Sequence, residues 1–291
     1  MNASPAQSPT SFRHWAQDKS LAECLSLAES GVRAKPTDAQ ARWLLVELLC
    51  VHGQWDRALR QLQAWAGMSR KAEPTAHLMR GLIRSERQRE QVLGGQRKLA
   101  SIAPAGSTAG SWMGALWKAL EHSGGNEKAH DRSARDAQRN DALALAPDTP
   151  GECPAFASPF HWITDTDSRL GPVCEVVVMG SYRWLALDDL RSLHKQAPGS
   201  LVDLAWSPVR LELRDGTPLQ AYMPMRYPVR EGDRDATLLA RETVWTEDGG
   251  TGVLGHGQKM WTTDQGDIAL LDLRDCCFHG CALRTVAQAA P

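Results

Sequence analysis

From Ser20 onward the apolar positions recur with a helical period. Ser20-x-x-Glu23 forms a capping-box signature, and Leu21, Cys24, Leu25, Ala28 and Val32 follow as one stripe of an amphipathic helix that Gly31 and Pro36 bring to an end. A second box, Thr37-x-x-Gln40, opens the next segment. There Trp43, Leu44, Val46, Leu48 and Leu49 lie nearly all round the helix, which predicts burial. His52-Gly53-Gln54 reads as a tight turn, after which Trp55, Ala58, Leu59, Leu62, Trp65 and Ala66 supply the stripe of a third helix. Weaker periodicity predicts helices at about 75–92, 111–122 and 126–145. Gly94–Gly110 is rich in small residues and Pro, and reads as a flexible loop.

The first hairpin carries the punctuation of a tetratricopeptide repeat. Gly53 sits in the turn, Trp55 two residues on and the small Ala58 five on, with Pro36 upstream. After Pro159 the period changes to two. Val173–Met179 and Tyr182–Leu187 flank Gly180-Ser181, and Val209–Arg214 and Thr217–Met223 flank Asp215-Gly216, both as hairpins. Thr243–Glu247, Lys259–Thr263 and Ile268–Arg274 are further strands, with short helices at Asp188–Leu193 and Asp233–Ala240. The expected fold is α+β: a TPR-like helical-hairpin array followed by a small, mostly antiparallel β barrel or sandwich. The boundaries are a flexible N-terminus over 1–19, helices over 20–147, a linker over 148–159, the β-rich part over 160–278 and a flexible tail over 279–291.

Composition narrows the function. A chain of 291 residues suits two domains, and a formal net charge of −1 lacks the basic footprint of nucleic-acid binding. No stretch is long and apolar enough for membrane insertion, and the polar, Pro- and Ser-rich start is no secretory signal. Seven Cys without a CxxC pair do not form a disulfide framework, which points to a reduced, cytoplasmic protein. Eleven Trp against 3 Tyr and 4 Phe make indole the dominant ring. Trp43, Trp55 and Trp65 lie in helical stripes and read as core. Trp15, Trp112 and Trp117 fit the stripes less well and are candidate exposed anchors for a partner.

Candidate chemistry is thin. Gly250-Thr-Gly252-Val-Leu-Gly255 matches a dinucleotide fingerprint, but no helix follows to hold a pyrophosphate, so a Gly-rich loop between strands is the reading. Cys276, Cys277, His279 and Cys281 lack the spacing of a zinc site and read as strand-end cysteines with a loose tail. Asp165-Thr-Asp167-Ser-Arg169 lacks the Gly and Glu of a calcium loop and reads as an ion-paired Asx turn. The Arg-rich stretch Arg80–Arg89 reads as a solvated helix face; Arg80, Arg84 and Arg87 are its candidates for docking an acidic partner. No catalytic, cofactor-binding or metal-ligating residue is assigned. An enzyme of the β domain using Asp165, Asp167 or the Gly250–Gly257 loop is an alternative, as is a general peptide-binding repeat protein.

A longer pattern is more specific. Phe160-His-Trp162-Ile-Thr-Asp165-Thr-Asp167-Ser168-Arg169-Leu170-Gly171-Pro172 continues with Glu175, Gly180-Ser-Tyr182-Arg-Trp184 and Asp203-Leu204-Ala-Trp206-Ser-Pro208, then Pro224-Met-Arg226-Tyr227-Pro228 and Gly255-His-Gly257-Gln258-Lys-Met260. In that order these strings resemble the ImpE/TagJ (SciE-type) family of type VI secretion accessory proteins. Pro36-Thr-Asp38, Glu47-Leu48-Leu49-Cys50 and Gly53-Gln-Trp55-Asp56-Arg57-Ala58 extend the resemblance over about residues 20–278. The resemblance implies a non-enzymatic adaptor without cofactors. Its implied partners are the small subunit of the contractile sheath and the ClpV-type AAA+ ATPase that dismantles it. Trp162, Asp165, Asp167, Arg169, Gly171, Pro172, Trp206, Arg226, Tyr227 and Pro228 are its signature positions, expected to be architectural.

Overall fold

The computed structural model describes residues 19–121 and 129–281. Trp15, most of the N-terminal segment and all but the first residues of the tail lie outside the described residues.

Three helices come first among the described residues: α1 (Leu21–Ala34), α2 (Ala39–Val51) and α3 (Trp55–Ala66). The Ser20–Glu23 box closes as the spacing requires, and the predicted stripe is the buried face of α1. The second box does not form. Asp38, one residue later than Thr37, caps α2 by accepting from the Gln40 and Ala41 amides, because a carboxylate reaches two orphan N–H groups at once. Gly53, at φ +67, makes the turn into α3. The long α4 (Glu73–Leu93) starts with Pro74 in its first turn, followed by α5 (Ala109–Glu121) and α6 (Ala129–Ala144).

The remaining chain builds a predominantly antiparallel sheet. In chain order its strands are β1 (Ser101–Ile102), β2 (Gly151–Glu152), β4 (Val173–Val178), β5 (Ser181–Ala186), β6 (Leu190–Lys195), β7 (Trp206–Leu213), β8 (Pro218–Pro224) and β13 (Asp275–Phe278). The spatial order is β1-β5-β4-β8-β7-β6-β13-β2, so the sheet is open and does not close as a barrel. Its edge strand β1 lies in the stretch expected to be a loop and pairs parallel with β5, while β2 comes from the expected linker. β3 (Ile163–Asp165), β11 (Met260–Thr263) and β12 (Gly266–Ala269) make a separate three-stranded sheet, and β9 (Thr243–Asp248) with β10 (Gly252–Gly257) a two-stranded ribbon. One short helix, α7 (Asp235–Leu238), precedes the ribbon.

Several local expectations are corrected. The first hairpin turns at Met179-Gly180, one residue early, with φ 49 and 70 at the two positions, the backbone a tight hairpin of right-handed twist demands. Asp188–Leu193 is not a helix. A single 3₁₀ turn at Leu187–Asp189 leads into β6, whose Leu190, Leu193 and Lys195 are buried between its neighbours. The segment 268–274 is not one strand, because Leu270–Arg274 turns between β12 and β13. The Gly-rich segment is a loop only at Gly250-Thr251, between β9 and β10; from Gly252 onward it is the strand β10. Cys277 and Cys281 form a disulfide, which corrects the fully reduced reading, while Cys276 and Cys277 lie in β13, between β6 and β2.

The period-two pattern of β4 and β5 places the two sides of the main sheet. Val173 and Val177 on β4, with Tyr182, Trp184 and Ala186 on β5, pack into the cores shared with the helices. Cys174, Val176 and Leu185 point the other way, into a core with Ile163, Trp261 and Ile268 of the small sheet. Glu175 therefore emerges on the helix-facing side. That side receives α4, and with it a set of buried charges.

Candidate functional site

The signature string Trp162–Pro172 contains β3 and the loop that leads from it into β4. Asp165 Oδ1 accepts from the Asp167 amide at 2.9 Å, and Asp167 Oδ1 accepts from the Arg169 amide at 3.0 Å, two successive Asx turns. Arg169 returns to clasp Asp167 through Nε (2.9 Å) and Nη2 (2.5 Å), and the Gly255 amide of β10 donates to the other side of that carboxylate at 2.9 Å. Gly171, at φ +57, reverses the chain so that its carbonyl accepts from the Asp165 amide. Burial pushes the Asp167 carboxyl up, but Arg169 outweighs it and holds it below the usual carboxylate range.

Behind the loop lies a chain of buried ions. Lys259 Nζ is 2.6 Å from Asp165 and also contacts Glu175. Glu175 receives Arg89 of α4 in fork geometry, Nε at 2.7 Å and Nη2 at 2.8 Å. The Tyr182 hydroxyl donates to Glu175 at 2.5 Å and accepts from Trp184 Nε1 at 2.6 Å. Arg89 Nη1 donates to Glu86 and to the Arg226 carbonyl, and Trp206 Nε1 donates to Glu86 at 3.0 Å. Tyr227 completes the set with a 2.9 Å hydrogen bond to Asp165.

Arg226 does a related job with neutral partners. Its guanidinium donates to the Cys50, Val51 and Leu238 carbonyls at 2.5–2.7 Å, capping the C-terminal end of α2 from a sheet-side residue. Burial lowers its pKa to about 10, since no carboxylate bonds directly to it.

The electrostatics are internally compensated. Glu86, Asp165, Asp167 and Glu175 face Arg89, Arg169, Arg226 and Lys259, four acids against four bases, all buried except the partly buried Arg169. Burial would raise the Glu175 carboxyl, yet Arg89 and Lys259 hold it far below the usual range. Burial raises Asp165 to about 6, with Lys259 opposing. Ion pairs this deep need every partner, because an unpaired buried charge costs several kcal/mol. The arrangement suits fixing α4, α2, β4 and the Asp165–Arg169 loop against one another. Among the described residues no group of His, Cys, Asp and Glu is placed to hold a metal.

Two concavities border this junction. A cavity of about 380 Å³ lies between the end of α6 and the signature loop, lined by Leu143, Thr149, Trp162, Asp165, Gly171 and Pro172 among others. A groove of about 720 Å³ lies between the start of α3 and the end of α4, lined by Gly53, Trp55, Asp56, Arg57, Arg87 and Glu90 among others.

The structure thus brings Asp165, Asp167, Arg169, Trp206, Arg226 and Tyr227 into one junction. Trp162, Gly171 and Pro172 sit at the first cavity, and Pro228 stays partly exposed beside Tyr227. Among the docking candidates Arg84 is exposed, Arg80 pairs with Glu73 at 2.8 Å, and Arg87 with Asp56 at 2.5 Å at the groove. Trp112 is corrected: at 1% exposure it is core, packed on the helix side of β4 and β5. Trp117 is half-buried and donates to the Arg97 carbonyl. The solvated-face reading of Arg80–Arg89 fails at Glu86 and Arg89, which are buried. Arg89, Glu86 and Lys259 were not singled out by the sequence. The available signal was position, since Leu82, Glu86, Arg89 and Leu93 form one helical stripe.

No helix of the described residues is long and apolar enough to cross a membrane. The ImpE protein family model matches residues 157–277, which span the signature loop and most of the sheet. The chain is 37% identical over 262 residues to the type VI secretion system accessory component TagJ of Pseudomonas aeruginosa, covering 89% of this chain and 88% of that one. The crystal structure of protein VPA1032 from Vibrio parahaemolyticus shares the fold with a TM-score of 0.77 at 23% identity, over 92% of this chain and 95% of the other. On its likeness to TagJ across nearly its full length, the chain belongs to the ImpE/TagJ family of type VI secretion accessory proteins.

Proposed function

We propose that this protein is a non-enzymatic, cytoplasmic adaptor of a type VI secretion system, binding the small subunit of the contractile sheath and linking it to the ClpV-type ATPase that recycles contracted sheath. The observation that carries this reading is the 37% identity to a type VI accessory component, sustained through both the helices and the sheet. In this reading the α2–α3 hairpin is a TPR-like element, and its groove is where a partner segment docks. Trp55 supplies an aromatic wall, and Arg57 and Arg87 supply charge at the rim. Arg84, exposed on α4, extends the basic character beyond it. The buried ionic junction holds that groove in register with the sheet.

The test is co-purification of the full chain with the cognate sheath small subunit and, separately, with the ATPase. Capture of the sheath subunit at micromolar concentrations, lost on Arg87→Glu with the fold intact by circular dichroism, is the expected result. No binding of either partner at tens of micromolar would sink the proposal.

A further inference from the structure

The β9–β10 ribbon has an unused edge. On β10, the Val253 amide and carbonyl bond Ser168, the Gly255 amide donates to Asp167, and the Gly257 carbonyl accepts from the Tyr227 amide. These residues therefore direct their main-chain groups away from β9, and Gly252, Leu254 and His256 face the ladder, opposite Asp248, Thr246 and Val244. By the alternation of a pleated strand, Thr243, Trp245 and Glu247 aim their N–H and C=O groups at the far side of β9. Among the described residues no hydrogen bond reaches them there.

The same ribbon concentrates exposed apolar surface. Val244, Trp245 and Val253 stand 36–39% exposed and account for three of the seven exposed large apolar side chains among the described residues. The register runs through six consecutive pairs without a bulge, and β9 contains neither Lys nor Pro. Neither a bulge nor a Lys or Pro therefore blunts this edge, whose only charges within the strand are Glu247 and Asp248 at its end.

The charges at the two ends indicate the occupant. Glu242 is bonded to Arg234, and Asp248 to Arg135. Arg241 and Glu247 are exposed, carry opposite signs and have no ion pair among the described residues. An antiparallel copy of β9, centred on Val244, sets Thr243 opposite Trp245, twice by symmetry, and brings the side chain of Arg241, just before the strand, to Glu247 of the other copy; the Arg241 amide is already donated to the Ala236 carbonyl, so the ladder itself ends at Thr243. It also matches outward-facing residues with outward-facing residues, as a ladder needs. Moving the centre to Trp245 would instead oppose Glu242 and Asp248, again twice. The exposed, oppositely charged Arg241 and Glu247 meet in the first register and not in the second.

We propose that β9 is a self-association edge, pairing antiparallel with β9 of a second copy to make a continuous four-stranded sheet β10-β9-β9-β10. The result is a two-fold adaptor presenting each partner surface twice, which raises avidity for a polymeric partner. This inference does not depend on which protein the groove binds.

Sedimentation velocity of the full chain across the micromolar range is the direct test. The expected result is a concentration-dependent species of twice the 31.9 kDa chain mass. A monomer up to a hundred micromolar would overturn the proposal. Glu247→Pro removes only an outward amide from the edge and should abolish the dimer while leaving the melting temperature in place. Arg241→Glu and Glu247→Arg should each weaken the dimer about tenfold, and the double variant should restore it. A dimer indifferent to all three variants, or single variants that weaken it without rescue in the double, would place the contact elsewhere and overturn the assignment.

Discussion

Ile83 and Arg89 sit six residues apart on the same helix, both buried against other elements, yet they hold α4 by different means. Ile83 joins an apolar core with α1–α3 and Val177 of β4, in which attraction is non-directional and a neighbour can shift to fill a gap. Arg89, buried from solvent, reaches Glu175, Glu86 and the Arg226 carbonyl through four directed hydrogen bonds. Apolar burial keeps α4 attached. The charged junction is satisfied in only one placement of α4 over β4, so it is the more sensitive to single changes.

The comparison is tested most severely at Arg89. Arg89→Met keeps the bulk and deletes the charge, leaving Glu86 and Glu175 buried with one cation fewer. A loss of about 3–5 kcal/mol is expected, read as a fall in the urea midpoint. A loss under about 1 kcal/mol would mean that the junction is not an obligatory part of the fold.

Two buried carboxylates sharpen the comparison through pH. Glu175 meets two cations and stays ionised. Glu47 on α2 is 2% exposed and, among the described residues, has no cation bonded to it; burial first, then the nearby Asp203, raises its pKa to about 8. The sign follows from linkage. Below the unfolded value of 4.5 both states hold the proton and Glu47 is neutral in effect. Between there and about 8 the folded state keeps a proton that the unfolded state has released, so stability falls as pH rises. Glu47→Gln should therefore stabilise the protein at pH 7 and flatten that slope, measured as melting temperature against pH for both proteins. An unchanged slope would show that Glu47 ionises normally.

The same contrast explains what the sequence made legible. The stripe of α1 and the Gly53 turn are periodic or conformational signals, written in the identities of neighbouring residues. Arg89 and Glu86 carry no such label, because a charge on a helix normally faces water, and their partners lie 86 and 120 residues away in Glu175 and Trp206. The Asp165–Arg169 turn was readable because its bonds are local; the link from Asp165 to Lys259 was not. Gly255 misled for a different reason. A Cβ there would come within 2.2 Å of the Tyr227 ring, so this glycine records a ring lying on a strand rather than a loop.

On the apolar side, Ile83→Val removes one methylene from the shared core. The expected cost is about 1 kcal/mol, with additivity toward Arg89→Met, since Ile83 makes no hydrogen bond or ion pair in the junction and lies in a different cluster of side chains from Arg89. A double-mutant cycle with Arg89→Met that departs from additivity by more than about 1 kcal/mol would show that the two ways of holding α4 are coupled.

The smallest effect on stability belongs to Arg84, on the same helix but exposed and without a buried partner. Arg84→Glu should change the urea midpoint by less than about 0.5 kcal/mol, as surface substitutions do. Its effect on sheath-subunit capture should be larger, because reversing a rim charge acts on encounter rate and its salt dependence. Binding followed at two salt concentrations separates these. Capture weakened at low salt and converging with wild type at high salt assigns Arg84 to a charged docking rim. Capture unchanged at both confines docking to the groove beside Trp55 and Arg87, leaving α4 with a structural role only along its buried stripe.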